Sequence, residues 1–133
     1  MDEVKKSLPV DIAVCAAAVS DFKCATSTEE KLSRQGTDSL TLTQTNDILK
    51  TVAATKKTTQ TVVGFCLEHE NKLDQAALKK ATEKQVDFLI ANTPNNIGSS
   101  TRDFQIYTQK GPLDTYTNKS VVEAASIILT LKK

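Results

Sequence analysis

An apolar run, Ile12 to Val19, stops abruptly at Ser20, Asp21, Phe22 and Lys23. A carboxylate delivered to the end of a buried strand can hold a metal ion or a ribose hydroxyl; an Asp in that place can equally cap a turn. Lys31 follows in the polar stretch "TEEKLSRQ". A lysine on a mobile loop can close over phosphates and offset charge that develops during group transfer, or it can simply be solvated. Asp47 and Ile48 open "DILKTVAATKK". The free N–H groups of a helix start attract anions, a property every helix start shares. Lys80 and Lys84 stand one helical turn apart, so they could grip one ligand together or form a wet face.

Other chemistries have less support. Three cysteines, Cys15, Cys24 and Cys66, are an odd number at wide spacing, and there is one histidine, His69. That suits a reducing cytoplasm and argues against a disulfide scaffold or a zinc site. Cys15 and Cys66 lie inside apolar runs and read as core packing. Neither G-x-G-x-x-G nor G-x-x-x-x-G-K-[ST] occurs, and none of the four glycines opens a helix after a strand. With 17 basic and 16 acidic residues, bulk attraction to a nucleic acid is not expected. No apolar run approaches the ~20 residues of a membrane span. "MDEVKKSLP" has no long apolar region behind its basic residues, so no signal peptide is expected. The 133 residues suffice for a single domain, 1–133.

The elements that must position these residues follow from periodicity. Residues 1–8 read as a short helix stopped by Pro9. Residues 10–19 read as a strand buried on both faces, the pattern of a parallel sheet. Residues 24–46 are polar and read as a loop or flap, within which "SLTLTQ" alternates like an exposed ribbon. Ile48, Leu49, Val52 and Ala53 share one face of a helix that Thr45 or Asn46 can cap. "TVVGFCLE" (61–68) and "VDFLIAN" (86–92) are further buried strands. Between them, Leu73, Ala77 and Ala81 mark an amphipathic helix over 71–85. "TPNNIGSS" (93–100) is loop chemistry. "DFQIYTQ" and "LDTYTN" flank Lys110, Gly111 and Pro112 as a hairpin would. Ser120 and Glu123 form a capping box for a last helix, with lysines at its C-terminus. The order predicts an α/β, Rossmann-like three-layer fold with a mostly parallel sheet and a C-terminal hairpin and helix. In such a sheet, ligands bind outside the carboxyl ends of the strands. Ser20 and Asp21, Glu68 and His69, and Asn92 fall at those ends.

Several segments, taken in order, resemble one family. "DIAVCAAAVSDF" resembles the A-A-A-V-[AS]-D-[FYW] segment of phosphopantothenate–cysteine ligase (phosphopantothenoylcysteine synthetase), the C-terminal half of the bifunctional coenzyme A flavoproteins. "EEKLSR" is similar to the family's E-K-I-K-K flap, "TNDIL" to N-P-D-I-L, and "VVGFCLE" to V-G-F-A-x-E. "ALKKATEKQVDFLIAN" resembles A-x-x-K-x-x-x-K-x-x-D-x-I-x-A-N, and "IGSSTRDFQIY" follows the next loop and strand.

The resemblance implies an enzyme of coenzyme A biosynthesis. CTP activates the carboxylate of 4'-phosphopantothenate as an acyl-cytidylate, with Mg²⁺ present, and cysteine then displaces CMP. It implies that Cys15, Ala16 and Ala17 lie along the nucleotide and that Asp21 contacts it or its metal. Lys31 would be the catalytic flap lysine. Asp47 and Ile48 would present a helix start, Phe65 would pack by the base, and Lys80 and Lys84 would reach the ligand. No flavin is expected in this portion. The family is cytoplasmic and dimeric. In the flap, Lys31 and Arg34 keep a positive charge, while Thr45 and Asn46 replace the family's Asn-Pro. The family's Gly-rich front, G-G-T-x-E and S-N-x-S-S-G-x-M-G, has no counterpart, so roughly the first half of the ligase domain is absent. A second copy or a chain supplying that half is the expected partner. The alternative is a truncated or degenerate relative that only binds a nucleotide or a partner.

Overall fold

A computed structural model describes residues 2–31 and 39–132, without the Lys5 side chain. Arg34 therefore lies outside the described residues. The chain divides into two compact units: Met1–Ala16 with Ile48–Lys133, and Ala17–Asp47.

The larger unit begins with α1 (Asp2–Ser7) and β1 (Ile12–Val14), then resumes with α2 (Ile48–Thr55), β4 (Thr61–Leu67), α3 (Glu70–Lys84) and β5 (Phe88–Asn92). A single 3-10 turn, Pro94–Asn96, leads into β6 (Thr101–Thr108), β7 (Gly111–Ser120) and α4 (Val121–Leu129). The smaller unit holds β2 (Phe22–Cys24) and β3 (Leu42–Gln44). Five strands form one sheet in the order β1-β4-β5-β6-β7. β1–β4 and β4–β5 are parallel; β5–β6 and β6–β7 are antiparallel. The sheet is thus mixed. The parallel part, expected to make up most of the sheet, is β1, β4 and β5, and the C-terminal hairpin, β6 and β7, joins the same sheet antiparallel.

Residues alternating along each strand feed two cores. On one face, Val62, Cys66, Leu89, Ala91 and Tyr107 meet Val52 and Ala53 of α2 and Leu73, Ala77 and Ala81 of α3. On the other, Val63, Phe88, Ile90, Phe104 and Ile106 meet Ala124 and Ile128 of α4. Helices on both faces make the three layers predicted. The apolar stripes of α2 and α3 face inward as their 3.6-residue spacing requires. Gly64 lets α2 approach β4: a Cβ there would stand 2.6 Å from Leu49 Cδ2 and 3.1 Å from Leu89 Cδ1.

Polar groups pin the ends. At the amino ends of β4 and β5, Asp87 accepts from the Val62 N–H at 2.8 Å and pairs with Lys56 at 2.7 Å. Lys56 also donates to the Gln85 carbonyl at 3.0 Å. Gln85 ends α3 in the left-handed region, φ 55°. The Tyr107 hydroxyl donates to Asp74 of α3 at 2.5 Å, tying the helix to β6. Asn96 braces its loop by donating to the Asp103 carbonyl at 2.7 Å and accepting from the Asp103 N–H at 3.1 Å. The Ser120–Glu123 capping box forms as predicted: each side chain accepts from the other residue's N–H.

Two expectations need correction. Residues 10–19 are not a long strand buried on both faces. β1 spans three residues, Ile12 and Ala13 are half-buried, and Ala16 is exposed. Among the described residues β1 has one neighbouring strand, β4, so an apolar run that looks fully buried finds strand partners there on one side. Nor does Lys132 sit on the last helical turn, and Lys133 lies outside the described residues. α4 ends at Leu129 with Thr130 as its C-cap, and Lys132 lies beyond. Segment 24–46, read as a flap, carries β3 of the ribbon, whose β2 and β3 residues are all exposed.

Candidate functional site

In the larger unit, the carboxyl ends of β1, β4 and β5 gather Cys15, Ala16, Phe65, Cys66, Glu68 and Asn92. The Cys15 N–H donates to the Val63 carbonyl at 2.9 Å, and its thiol is held above the usual range by burial. Glu68 donates its N–H to the Asn92 carbonyl at 3.2 Å, so the two strand ends stay in register. Its carboxylate accepts from the His69 N–H at 2.9 Å.

Lys80 and Lys84 are half-buried on α3, whereas Lys72 and Lys79 on the same helix are exposed. This departs from a plain solvated face. Lys80 is close enough to Cys66 to oppose the upward push that burial gives the thiol, while Glu68 adds to that push. Lys80 has no ion pair within the described residues. A half-buried ammonium without a carboxylate partner favours an anionic ligand beside it. Ile48, the first residue of α2, packs partly against the same core. Phe65 points to the opposite face of the sheet, among Ile12, Ile127 and the second core. The structure therefore brings Lys80 together with Cys66 but leaves Phe65 across the sheet from them.

The smaller unit carries Ala17, Asp21, Lys31 and Asp47. Ala17, Asp21 and Lys31 are exposed, and Asp47 is half-buried. The turn before β2 is built by Ser20, whose hydroxyl donates to the Phe22 carbonyl at 2.6 Å. The Asp21 carbonyl accepts from the Thr45 N–H at 2.9 Å. The Asp21 carboxylate has no hydrogen bond or ion pair within the described residues, so the turn-capping role falls to Ser20. Among the described residues no three His, Cys, Asp or Glu side chains converge. They form no resident metal cage. Magnesium carried on a nucleotide needs only one or two carboxylates besides the phosphates, which a single Asp can offer.

Sequence reasoning missed Asp87 and Tyr107, the residues that fix the scaffold. The signal for Asp87 was a lone acid directly before an apolar strand. The partner, Lys56, lies in a different segment and could not be paired by spacing.

The model of the DNA/pantothenate metabolism flavoprotein C-terminal domain matches residues 1–132. The chain belongs to this family. Within it, a coenzyme A biosynthesis bifunctional protein CoaBC from Borreliella burgdorferi is 33% identical over 105 residues, covering 74% of this chain and 27% of that protein. A cysteine/cysteine sulfinic acid decarboxylase from an unknown prokaryotic organism is 31% identical over 124 residues, covering 90% of this chain and 34% of its own. The crystal structure of the C-terminal domain of a CoaBC superposes with TM-score 0.71 at 25% identity, covering 96% of this chain and 56% of that one. The flavoprotein from Streptococcus pneumoniae gives TM-score 0.74 at 21% identity, with 96% and 65% covered. The resemblance to phosphopantothenoylcysteine synthetases and the Rossmann-like fold are thereby shown for this flavoprotein domain. The chain spans about a third or less of the curated relatives' length. No helix among the described residues is long and apolar enough to cross a membrane.

Proposed function

We propose that this flavoprotein domain forms the nucleotide-facing part of a ligase that joins 4'-phosphopantothenate to cysteine at the expense of CTP. The phosphopantothenate carboxylate attacks the α-phosphorus of CTP, the bond to pyrophosphate breaks, and an acyl-cytidylate forms. The cysteine amine then attacks the acyl carbon, loses a proton, and CMP leaves. Both steps bring anions together, and positioned cations lower that cost most in the transition state.

The observation that carries this reading is Lys80: half-buried, beside the carboxyl end of β4, with no carboxylate paired to it among the described residues. Lys84, one turn on, adds a second cation on the same helix. Cys15, Ala16 and Ala17 would lie along the nucleotide, Ile48 with Asp47 would offer the α2 start, and Phe65, on the other face of the sheet from Lys80, would meet the base from that side of the β4 end. Lys31 would close over the reacting groups, and Asp21 would face the nucleotide's magnesium, which neutralises phosphate charge when bound.

Calorimetry with CTP and Mg²⁺ tests this. Lys80→Gln should weaken binding by about tenfold, the effect of removing one charge-assisted contact. An unchanged affinity would remove Lys80 from the site.

A further inference from the structure

The larger unit holds a cavity of about 290 Å³ at the amino ends of β1 and β4, the end of the sheet opposite the candidate site. Leu8, Pro9, Val10 and Ala13 line it from the chain entering β1, Val52 from α2 and Val62 from β4. Close packing normally closes a space of this size. Here polar groups brace it. Gln60 donates to the Val10 carbonyl at 2.5 Å and accepts from the Lys57 N–H at 2.7 Å. One side chain thus ties the segment before β1 to the segment after α2. Lys56, also at the cavity, is fixed by Asp87 at 2.7 Å and by the Gln85 carbonyl at 3.0 Å. The surroundings are set before anything binds, which lowers the cost of binding.

Size and charge narrow what would fit. An apolar cavity of ~150 Å³ takes a benzene, so this one takes an aromatic ring with a short tail. The lining decides the charge of the tail. Lys56 is already neutralised by Asp87. Lys57, an exposed residue at the cavity, has neither ion pair nor hydrogen bond for its ammonium among the described residues. No acidic side chain of the described residues lines the cavity. α2 ends at Thr55 beside it, and the carbonyls of a helix C-terminus disfavour an anion. The Thr55 hydroxyl masks two of them, donating to the Thr51 carbonyl at 3.0 Å and the Val52 carbonyl at 3.2 Å. The uncompensated full charge is therefore the cation of Lys57, which favours an acid.

We propose that this cavity is a second ligand site of the domain, and that it takes a small aryl carboxylate. The ring lies among Leu8, Val52 and Val62, and the carboxylate meets Lys57 at the mouth. The site is separate from the carboxyl ends of the strands and does not depend on the ligase reading.

The probe is 3-phenylpropanoate, titrated into the isotope-labelled chain without nucleotide and followed by amide NMR shifts. Saturable shifts should appear at Val10, Ala13, Lys57 and Gln60, with a Kd on the order of 1 mM, ordinary for a ligand of about ten non-hydrogen atoms. The amides of Cys66, Glu68 and Asn92 should stay where they are. 3-Phenylpropanamide keeps the shape and loses the charge, so it should bind at least ~5-fold more weakly. Lys57→Gln should bring the acid down to the affinity of the amide. Ala13→Ile fills the cavity with a residue suited to a strand. It should abolish the shifts while the β5 and β6 amides are unchanged. Lys57→Gln, at an exposed position, keeps the test decisive if Ala13→Ile does not fold. The proposal is overturned by no saturable shift at up to ~10 mM, by shifts centred on the carboxyl ends of the strands, or by equal binding of acid and amide.

Discussion

Asp87 is the position where a single substitution should cost most without touching the candidate site. Its side chain is 10% exposed and that of Lys56 17%, and one carboxylate serves both Lys56 and the Val62 N–H. Asp87→Ala strands two groups at once. A buried cation left without its partner costs about 3 to 5 kcal/mol, less here because Gln85 still accepts from Lys56. A buried N–H left unpaired adds about 1 to 3 kcal/mol. A total of about 3 to 4 kcal/mol is expected, a large part of the ~5–15 kcal/mol that holds a domain folded. Asp87→Asn keeps an acceptor for Val62 and loses only the charge, so it should cost about half as much. Lys56→Met with Asp87→Asn removes the ion pair altogether and should cost less than the two single changes summed. Urea unfolding followed by far-ultraviolet circular dichroism is the assay, since the chain has no tryptophan. The Asp87→Ala midpoint should fall by about 1 to 2 M. A cost below about 1 kcal/mol, or strict additivity in the double variant, would refute the reasoning. CTP affinity of the folded fraction should not change, because the pair lies at the amino ends of the strands.

Three further outcomes are expected. Burial and the bond to Asp74 push the Tyr107 phenol up from 10 to about 12, so its contribution to stability is complete below pH 10 and is lost as pH rises through about 12. Tyr107→Phe should flatten the alkaline loss in that window, and equal loss in both proteins would show that the phenol is not the cause. Ser120→Ala should cost about 1 kcal/mol by opening the α4 capping box, read by thermal unfolding, and a change within a few tenths would mean the box is not closed in solution. In a complete ligase containing this segment, Lys31→Gln should slow acyl-cytidylate formation by about a hundredfold while CTP binding changes little. A single-turnover rate near that of the unmodified enzyme would remove Lys31 from catalysis.

What could be read from the sequence was what depends on local periodicity. Leu73, Ala77 and Ala81 announced α3 at helical spacing, and Ser120 with Glu123 announced the start of α4, because such signals are confined to a few residues. The run from Ile12 to Val19 misled because apolar composition reports a wish for burial and says nothing of how many neighbours are present. Asp21 illustrates the other limit. Carboxylate chemistry allowed a turn cap or a ligand contact, and only the hydroxyl of Ser20, found bonding across the turn, separated the first role from it. Lys80 and Lys84 looked like any exposed lysine pair. Their partial burial depends on how α3 rolls against the sheet, which spacing alone does not fix.

The ribbon in the smaller unit has a consequence for chain entropy. Thirty-one residues, Ala17–Asp47, separate the two sequence halves of the larger unit. Closing a flexible loop costs more as it lengthens, by about 0.6 kcal/mol per doubling. Here Thr45 N–H meets the Asp21 carbonyl at 2.9 Å, and the Thr45 hydroxyl meets the Ser20 carbonyl at 2.5 Å. These bonds, with the β2–β3 ladder, short-circuit the insertion near its base. Once the ribbon has formed, the path from β1 to α2 runs only through 15–21 and 45–48, close to an ordinary strand-to-helix connection. The segment beyond the clamp can then lengthen or shorten with little effect on the stability of the larger unit, so variation there is free to follow the demands of a ligand or partner.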